Sequence, residues 1–333
     1  MASTQAKQTI VVIGATGIQG SGVVQALLNQ GSWSVRALTQ NPSSSKAQTL
    51  LSKYQTADNR LSLATGHVYD KESLRTAFEG AYGVFALTSE RYPGRTLTQE
   101  SELKHEIEAG RNIISAAKGC RIEHLVLSSL PDTVEASGGR FKQIHHMNNK
   151  HAIEKMARGE LEGFTAVMPG FFYNNLIWPQ YCRLRDDGVV QFCMPLPGNK
   201  PIQWTNPAHD MGAFVKYSTW ALKRPKAKRT LLWALEYPLE KMAQTFTRVT
   251  GKRAVHSSIS FEEFGDLSSK LVGPAFREDA IEMMQWAAVT PDDKTCYGAL
   301  EMESEKSGEE LGLSRSSFED WLRRSGWTGP ESC

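Results

Sequence analysis

The 333 residues carry 38 Lys plus Arg against 36 Asp plus Glu, a formal net charge of +2, with 22% charged and 40% hydrophobic residues. That length allows one large domain or a domain with a smaller appendage, and the near balance of charge argues against direct contact with a nucleic-acid phosphate backbone. Five widely spaced cysteines, Cys120, Cys182, Cys193, Cys296 and Cys333, with no C-x-x-C pair, signal neither a disulfide framework nor a zinc knuckle.

The opening MASTQAKQ runs directly into an apolar strand without a signal-peptide core, and nowhere do eighteen apolar residues follow one another. A cytoplasmic protein without a membrane segment is expected, or a nuclear one if KRPKAKR (223–229) serves for import, although basic loops are ordinarily just solvated. Short apolar runs predict strands at TIVVIG (9–14), SVRAL (34–38), LSLATG (61–66), GVFALT (83–88), HLVLSS (124–129) and FTAVMP (164–169). Between them lie segments with helical spacing, such as Val23, Val24, Leu27 and Leu28, or Ile107, Ile113, Ile114 and Ala117. Strands apolar on both faces and alternating with helices predict an α/β fold, a doubly wound parallel sheet of the Rossmann kind. After residue 170 the rhythm breaks into PGFFYNN, MPLPGNKP and WALEYP, so residues 1–170 are assigned to the nucleotide-binding domain and 171–333 mainly to a smaller C-terminal substrate lobe. The stretch 205–235 is expected to return to the first domain. Ser316 and Glu319 have capping-box spacing for a last helix with Phe318, Trp321 and Leu322 on one stripe.

The first strand ends in GATGIQG, with Gly14, Gly17 and Gly20 leading straight into a helix. In that context glycines permit a tight turn, close approach of backbone to a pyrophosphate, and close helix packing, with the phosphates on helix N–H groups. At the end of the second strand, LTQNPSSSK (38–46) offers no carboxylate for ribose hydroxyls. Thr39, Gln40, Asn41, the serines and Lys46 are instead donors suited to a 2′-phosphate, so NADP is the expected cofactor over NAD. In HHMNNK (145–150), His146 and Lys150 stand four apart and share one helix face. His145 and His151 have no ligand spacing with a carboxylate, and no H-E-x-x-H occurs, so no metal site is expected.

GATGIQG, GHVYDKESLRTAFEGAYGVFALT (66–88), HLVLSSLPD (124–132), Lys150, PGFFYNN (169–175) and PIQWTNPAHDMG (201–212) together resemble the NmrA-like family of atypical short-chain dehydrogenase/reductases, best over about 8–215. The resemblance implies an NADP-binding Rossmann domain with a small C-terminal lobe, in a family that includes natural-product reductases and redox-sensing regulators. It implies that Gly14, Thr16, Gly17, Ile18 and Gln19 hold the pyrophosphate, and that Thr39, Gln40, Asn41 and Lys46 lie near the 2′-phosphate. His67 and Tyr69 would lie near adenine, Thr88 and Ser89 near the nicotinamide-side phosphate and ribose, and Phe171, Phe172 and Asn174 around the nicotinamide. The chain departs from the family where G-D becomes Gly66-His67 and T-R-N-P becomes TQNP.

In the parent superfamily a Tyr-x-x-x-Lys pair does the chemistry; Lys150 matches the Lys and His146 occupies the Tyr position. Lys150 would donate to ribose hydroxyls. Beside an ammonium the neutral imidazole is favoured, and it still carries one N–H to orient a carbonyl or imine. His146 is thus either a catalytic donor or a residue filling a vacated position, with Tyr173 and Ser129 as competing donors. His209 and Asp210 remain open, as does the share of Trp178, Tyr181, Trp204, Trp286 and Tyr297 in walling a substrate cleft. The leading expectation is an NADPH-dependent oxidoreductase reducing a carbonyl or imine of a small apolar metabolite. The alternatives are a non-catalytic NADP(H)-sensing regulator with a protein partner, and a non-redox isomerase or dehydratase on the same scaffold.

Overall fold

The computed structural model describes residues 7–213, 228–301 and 314–331. Six strands alternate with helices: β1 (Thr9–Val12), α1 (Ile18–Gln30), β2 (Ser34–Thr39), α2 (Ser45–Tyr54), β3 (Leu61–Thr65), α3 (Lys71–Phe78), β4 (Gly83–Ala86), α4 (His105–Gly119), β5 (His124–Ser128), the short α5 (Thr133–Ala136), α6 (His145–Glu160) and β6 (Phe164–Pro169). A further strand, Lys228–Trp233, joins the free edge of β6, so the sheet runs Lys228–Trp233, β6, β5, β4, β1, β2, β3. All its pairings are parallel. Parallel strands need long crossovers, and these place helices on both faces. One face buries Val23, Val24, Leu27 and Leu28 of α1 against Val12, Val35 and Phe85. The other buries Leu74 and Phe78 of α3, Ile113 and Ile114 of α4 and Ile153 of α6 against Val11, Val84 and Leu125. The fold is the doubly wound Rossmann arrangement read from the strand rhythm.

β1 and β4 stop two residues short of their predicted ends. The residues left over, with the end of β2, form the floor of a crevice at the carboxyl edge, where the strand order turns back between β1 and β4.

A second core lies outside the sheet and gathers Phe171, Tyr173, Phe192, Trp204, Phe246, Phe264, Met284, Phe318 and Trp321. It includes Phe141, Ile144 and Met147, so the start of α6 is packed into the lobe while its end packs on the sheet. Small sheets support the lobe: Leu235–Glu236, Gln203–Thr205 and Phe171–Phe172 in one, Ala254–His256, Val190–Phe192 and Cys182–Leu184 in another. Helices Leu239–Thr250, Phe261–Val272 and Arg277–Val289 complete it.

The last helix, Phe318–Ser325, buries Phe318, Trp321 and Leu322 as its stripe requires, but its capping box is Ser317 with Asp320, one residue later than the Ser316 and Glu319 read from spacing. The reason is that the Ser316 hydroxyl is already bonded to Asp210 at 2.5 Å. Asp210 also accepts the backbone N–H of Asn206 at 2.9 Å and of Ser316 at 3.2 Å, which makes it a buried structural tie, with His209 Nδ1 3.3 Å from its Oδ1. Of KRPKAKR, residues 223–227 lie outside the described residues. Among the described residues no helix is long and apolar enough to cross a membrane.

Candidate active site

The crevice holds a cavity of about 420 Å³ walled by Gly14, Thr16, Thr39, Gln40, Asn41, Ser44, His67, Tyr69, Thr88 and Ser89, together with Arg91, which the sequence did not point to. No carboxylate lies on that wall. Gly14 turns at φ 69°, a conformation that favours glycine. A Cβ on Gly20 would lie 2.2 Å from the Gly14 carbonyl oxygen, so α1 approaches the turn as closely as backbone allows. α1 begins at Ile18 behind Gly17, with no side-chain cap and no acidic residue in its first turn. By contrast, Asp70 caps α3 and Ser44 caps α2. Uncapped N–H groups at the positive end of a helix dipole, reached across glycine, suit a diphosphate.

The β2–α2 turn is braced internally: Thr39 Oγ1 accepts the Asn41 N–H at 3.3 Å, and Asn41 Oδ1 accepts the Ser43 N–H at 2.9 Å. Thr39 Oγ1 and Asn41 Oδ1 are thus used within the turn, which leaves the Asn41 side-chain Nδ2 and the Gln40 side chain as donors. Lys46 stands exposed in the first turn of α2 and is not on the cavity wall. His67 Nδ1 accepts the Tyr69 N–H at 3.2 Å. The Tyr69 ring stacks on Tyr92 with centroids 4.7 Å apart, and its hydroxyl bonds His105. Burial pushes the Tyr69 phenol up, so it is a neutral wall.

Thr88 is shared with a second cavity of about 230 Å³ between the sheet edge and the lobe. This cavity brings together Gln19, His146, Lys150, Phe171 and Phe172, all singled out from sequence, with Glu90, Ser128, Gln180 and several aromatic rings. Lys150 Nζ donates to Glu106 Oε1 at 2.5 Å, and Thr88 Oγ1 donates to the same oxygen at 2.6 Å. Glu106 is fully buried in α4. Burial alone would lower the Lys150 pKa, but the carboxylates of Glu106 and Glu90 outweigh it, and the net shift is upward. Burial likewise pushes the Glu90 carboxyl up, yet the Lys150 ammonium, a backbone hydrogen bond and His146 bring it below the usual carboxylate range. Both groups are therefore charged at neutral pH.

His146 is held twice by Asp279 of helix Arg277–Val289: its backbone N–H donates to Oδ2 at 2.8 Å, and Nδ1 meets Oδ1 at 2.5 Å. Asp279 is buried. An ionised carboxylate only accepts, so Nδ1 carries the proton and Nε2 is the nitrogen left over. This corrects the sequence expectation of a neutral imidazole offering its N–H to a substrate. That N–H belongs to Asp279, and Nε2 donates only when the ring is an imidazolium.

Tyr173 is not a competing donor. It is fully buried, its ring lies 5.6 Å from and nearly parallel to Trp204, and it packs against Phe318 and Trp321. Ser129 is fully buried too and donates to Glu154 at 2.8 Å. Its neighbour Ser128 takes the cavity side, because successive strand residues face opposite ways, and donates to Gln19 Oε1 at 2.8 Å. Asn174 lies off the cavity wall, where Asn175 takes its place. Of the five lobe aromatics, Trp178, Tyr181 and Tyr297 line the cavity, whereas Trp204 and Trp286 are core. Glu90, Glu106 and Asp279 were missed from sequence, since nothing local marks a partner 44 or 133 positions away. Among the described residues no group of three or more His, Cys, Asp or Glu is placed to hold a metal ion.

A family model described as the NmrA-like family matches residues 6–322. The NmrA-like family domain-containing oxidoreductase FrzB of Cladobotryum sp. is 35% identical over 211 residues, 60% of this chain and 58% of that protein, so the match spans less than two thirds of FrzB. The NmrA-like oxidoreductase himF of Aspergillus japonicus is 29% identical over 268 residues, 76% of each chain. Among solved structures, NmrA, a negative transcriptional regulator in complex with NAD, superposes with a TM-score of 0.74 at 20% identity, covering 96% of this chain and 95% of that one. The Citrobacter sp. triphenylmethane reductase complexed with NADP(H) gives 0.67 at 19% identity, covering 95% and 99%. At those identities the structures speak to the fold, while the match across 6–322 speaks to descent: the chain belongs to the NmrA-like family.

Proposed function

We propose that the chain is an NADP(H)-dependent oxidoreductase that reduces a C=O or C=N bond of a small, largely apolar metabolite. The observation that carries this reading is the adjacency of the two cavities, which share Thr88 as a wall: a glycine-floored crevice lies beside an aromatic chamber holding Lys150 and His146. The absence of a carboxylate at Thr39, Gln40, Asn41 and Ser44 supports NADP over NAD, since an acidic residue there would serve ribose hydroxyls and repel a 2′-phosphate. Relatives named as oxidoreductases support turnover.

In this reading Gly14, Thr16, Gly17, Ile18 and Gln19 hold the diphosphate through backbone N–H groups, and Arg91 joins Lys46 as a cation for phosphate. His67 and Tyr69 flank the adenine, Thr88 and Ser89 meet the nicotinamide-side ribose and phosphate, and Phe171, Phe172 and Asn175 shape the nicotinamide end. NADPH, when bound, supplies hydride. Lys150, kept charged by Glu106, donates to ribose hydroxyls. His146 orients the substrate through Nε2 and passes it a proton only as imidazolium, with Asp279 fixing the ring.

The test is loss of NADPH absorbance against aldehydes, ketones, enones and imines. Turnover of at least one class is expected, with Lys150→Ala lower by about a hundredfold through lost positioning. His146→Asn, which keeps a donor for Asp279, is expected to slow carbonyl reduction by about a hundredfold. A cofactor-sensing regulator is the second reading, favoured by His146 standing where the superfamily has its tyrosine. NADPH binding without turnover of any substrate would select it.

A further inference from the structure

The substrate cavity has a charge and donor balance that narrows what it takes. Each of its two basic side chains is matched to a buried carboxylate, Lys150 to Glu106 and His146 to Asp279, both at 2.5 Å. Glu90 stands on the wall with a looser partner, Arg91 at 3.8 Å, whose guanidinium also lies 6.0 Å from the Trp178 ring centre. With Arg91 counted, three carboxylates against one ammonium, one guanidinium and one imidazole leave the site at −1 with His146 neutral and at zero with it charged. A second, independent observation points the same way. Gln180 lines the cavity at 2% exposure; its Nε2 donates to Ser268 Oγ at 3.4 Å, and its Oε1 has no partner. A buried acceptor without a partner costs about 1–3 kcal/mol unless a ligand donates to it. Around these acceptors stand Phe171, Phe172, Trp178, Tyr181, Phe276 and Tyr297. Ring faces beside a carboxylate are the setting in which an organic cation is bound, and a neutral ketone uses none of it.

We propose that the cavity takes a cationic nitrogen compound and that the bond reduced is the C=N⁺ of an iminium ion. The reaction class rests on the reductase reading above; the cation preference of the cavity does not. The step balances without an acid. A hydride adds to the iminium carbon, one C–H bond forms, and the C=N π pair becomes the nitrogen lone pair. The C=N⁺ is reduced to a neutral amine, the dihydronicotinamide of NADPH is oxidised, and the positive charge passes from substrate to cofactor. Reduction of a carbonyl, in contrast, leaves an alkoxide that must be protonated. A site with no tyrosine at position 146, and with the Nδ1–H of its histidine directed to Asp279, is matched to the first reaction and poorly matched to the second.

Two arms test this. In the first, binding to the full chain without cofactor is followed by calorimetry, using N-methyl-tetrahydroisoquinoline, cationic at neutral pH, and isochroman, its neutral counterpart of like shape. The amine is expected to bind at least about tenfold tighter, and Glu90→Gln to remove most of that preference while leaving isochroman unchanged. Equal binding of the two probes, or a preference untouched in both Glu90→Gln and Gln180→Leu, overturns the proposal. So does a Glu90→Gln effect confined to the ratio of NADP⁺ to NADPH affinity, which would give the carboxylate to the cofactor. In the second arm, N-methyl-3,4-dihydroisoquinolinium and 1-tetralone are offered with NADPH. Faster reduction of the iminium, with His146→Asn slowing only the ketone, is expected. Faster reduction of the ketone overturns the iminium assignment and leaves the reductase reading standing. No turnover of either beside an intact cation preference removes the reductase reading and keeps the cation site.

Discussion

Lys150 and His146 were legible as a pair because four residues make one helical turn, but what they do is set by residues far away in sequence. Glu106 and Asp279 are fully buried acceptors, and a buried charge stripped of its partner is destabilising by roughly 3–5 kcal/mol. Lys150→Met should therefore lower the denaturation midpoint strongly, and Lys150→Met with Glu106→Leu should recover most of the loss. A double variant no better than the single one would mean that the pair is not coupled in the folded protein. His146→Phe should be worse folded than His146→Asn for the same reason, measured in the same way. The signs of the pKa shifts set the pH range. Glu90, lowered, stabilises above its ordinary carboxylate pKa, and that contribution fades as pH falls through its folded value. Lys150, raised, stabilises below its ordinary pKa, and that contribution is lost as pH rises through its higher folded value. Both charges are thus in place from about pH 5 to pH 10, and the stability they supply should be flat across that interval. Pairings over such separations leave no periodic trace in a sequence, which is why the three carboxylates went unread.

At the scale of elements, the six strands and the glycine turn were legible because burial on both faces leaves a continuous apolar run, and Gly14 and Gly20 do work that no side chain permits. Gly20→Ala places a Cβ against the Gly14 carbonyl and should abolish dinucleotide binding even in protein that still folds by circular dichroism. The start of the last helix was misread by one residue, since spacing alone does not reveal that Ser316 is bonded to Asp210. That difference is testable by thermal melting. Ser317→Ala removes a cap worth about 1 kcal/mol, whereas Ser316→Ala deprives a buried carboxylate of its shortest hydrogen bond and should lower the melting temperature further. Helix α6 joins the two scales. Its first turn is packed in the lobe and its later turns on the sheet, so His146 stands at the seam where an element of the lobe, Arg277–Val289, can supply Asp279.

At the scale of the molecule, the crevice at the carboxyl edge of the sheet and the chamber under the lobe lie side by side and share Thr88 as a wall. Many residues of the crevice wall were named from sequence because it is built on the glycine turn and strand ends, but Val68, Arg91, Pro93 and Ala109 also line it and Lys46 does not. The chamber was less legible, because its wall is assembled from segments between Gln19 and Tyr297, and only three of the five aromatic residues singled out in the lobe reach it. The most direct test of the whole arrangement is a titration of the purified chain with NADPH and NADH, followed by quenching of tryptophan fluorescence, to which Trp178 on the chamber wall contributes. Saturable binding of NADPH, at least about tenfold tighter than NADH from added contacts to the 2′-phosphate, is the expected result. Failure of both dinucleotides to bind, or tighter binding of NADH, would contradict it.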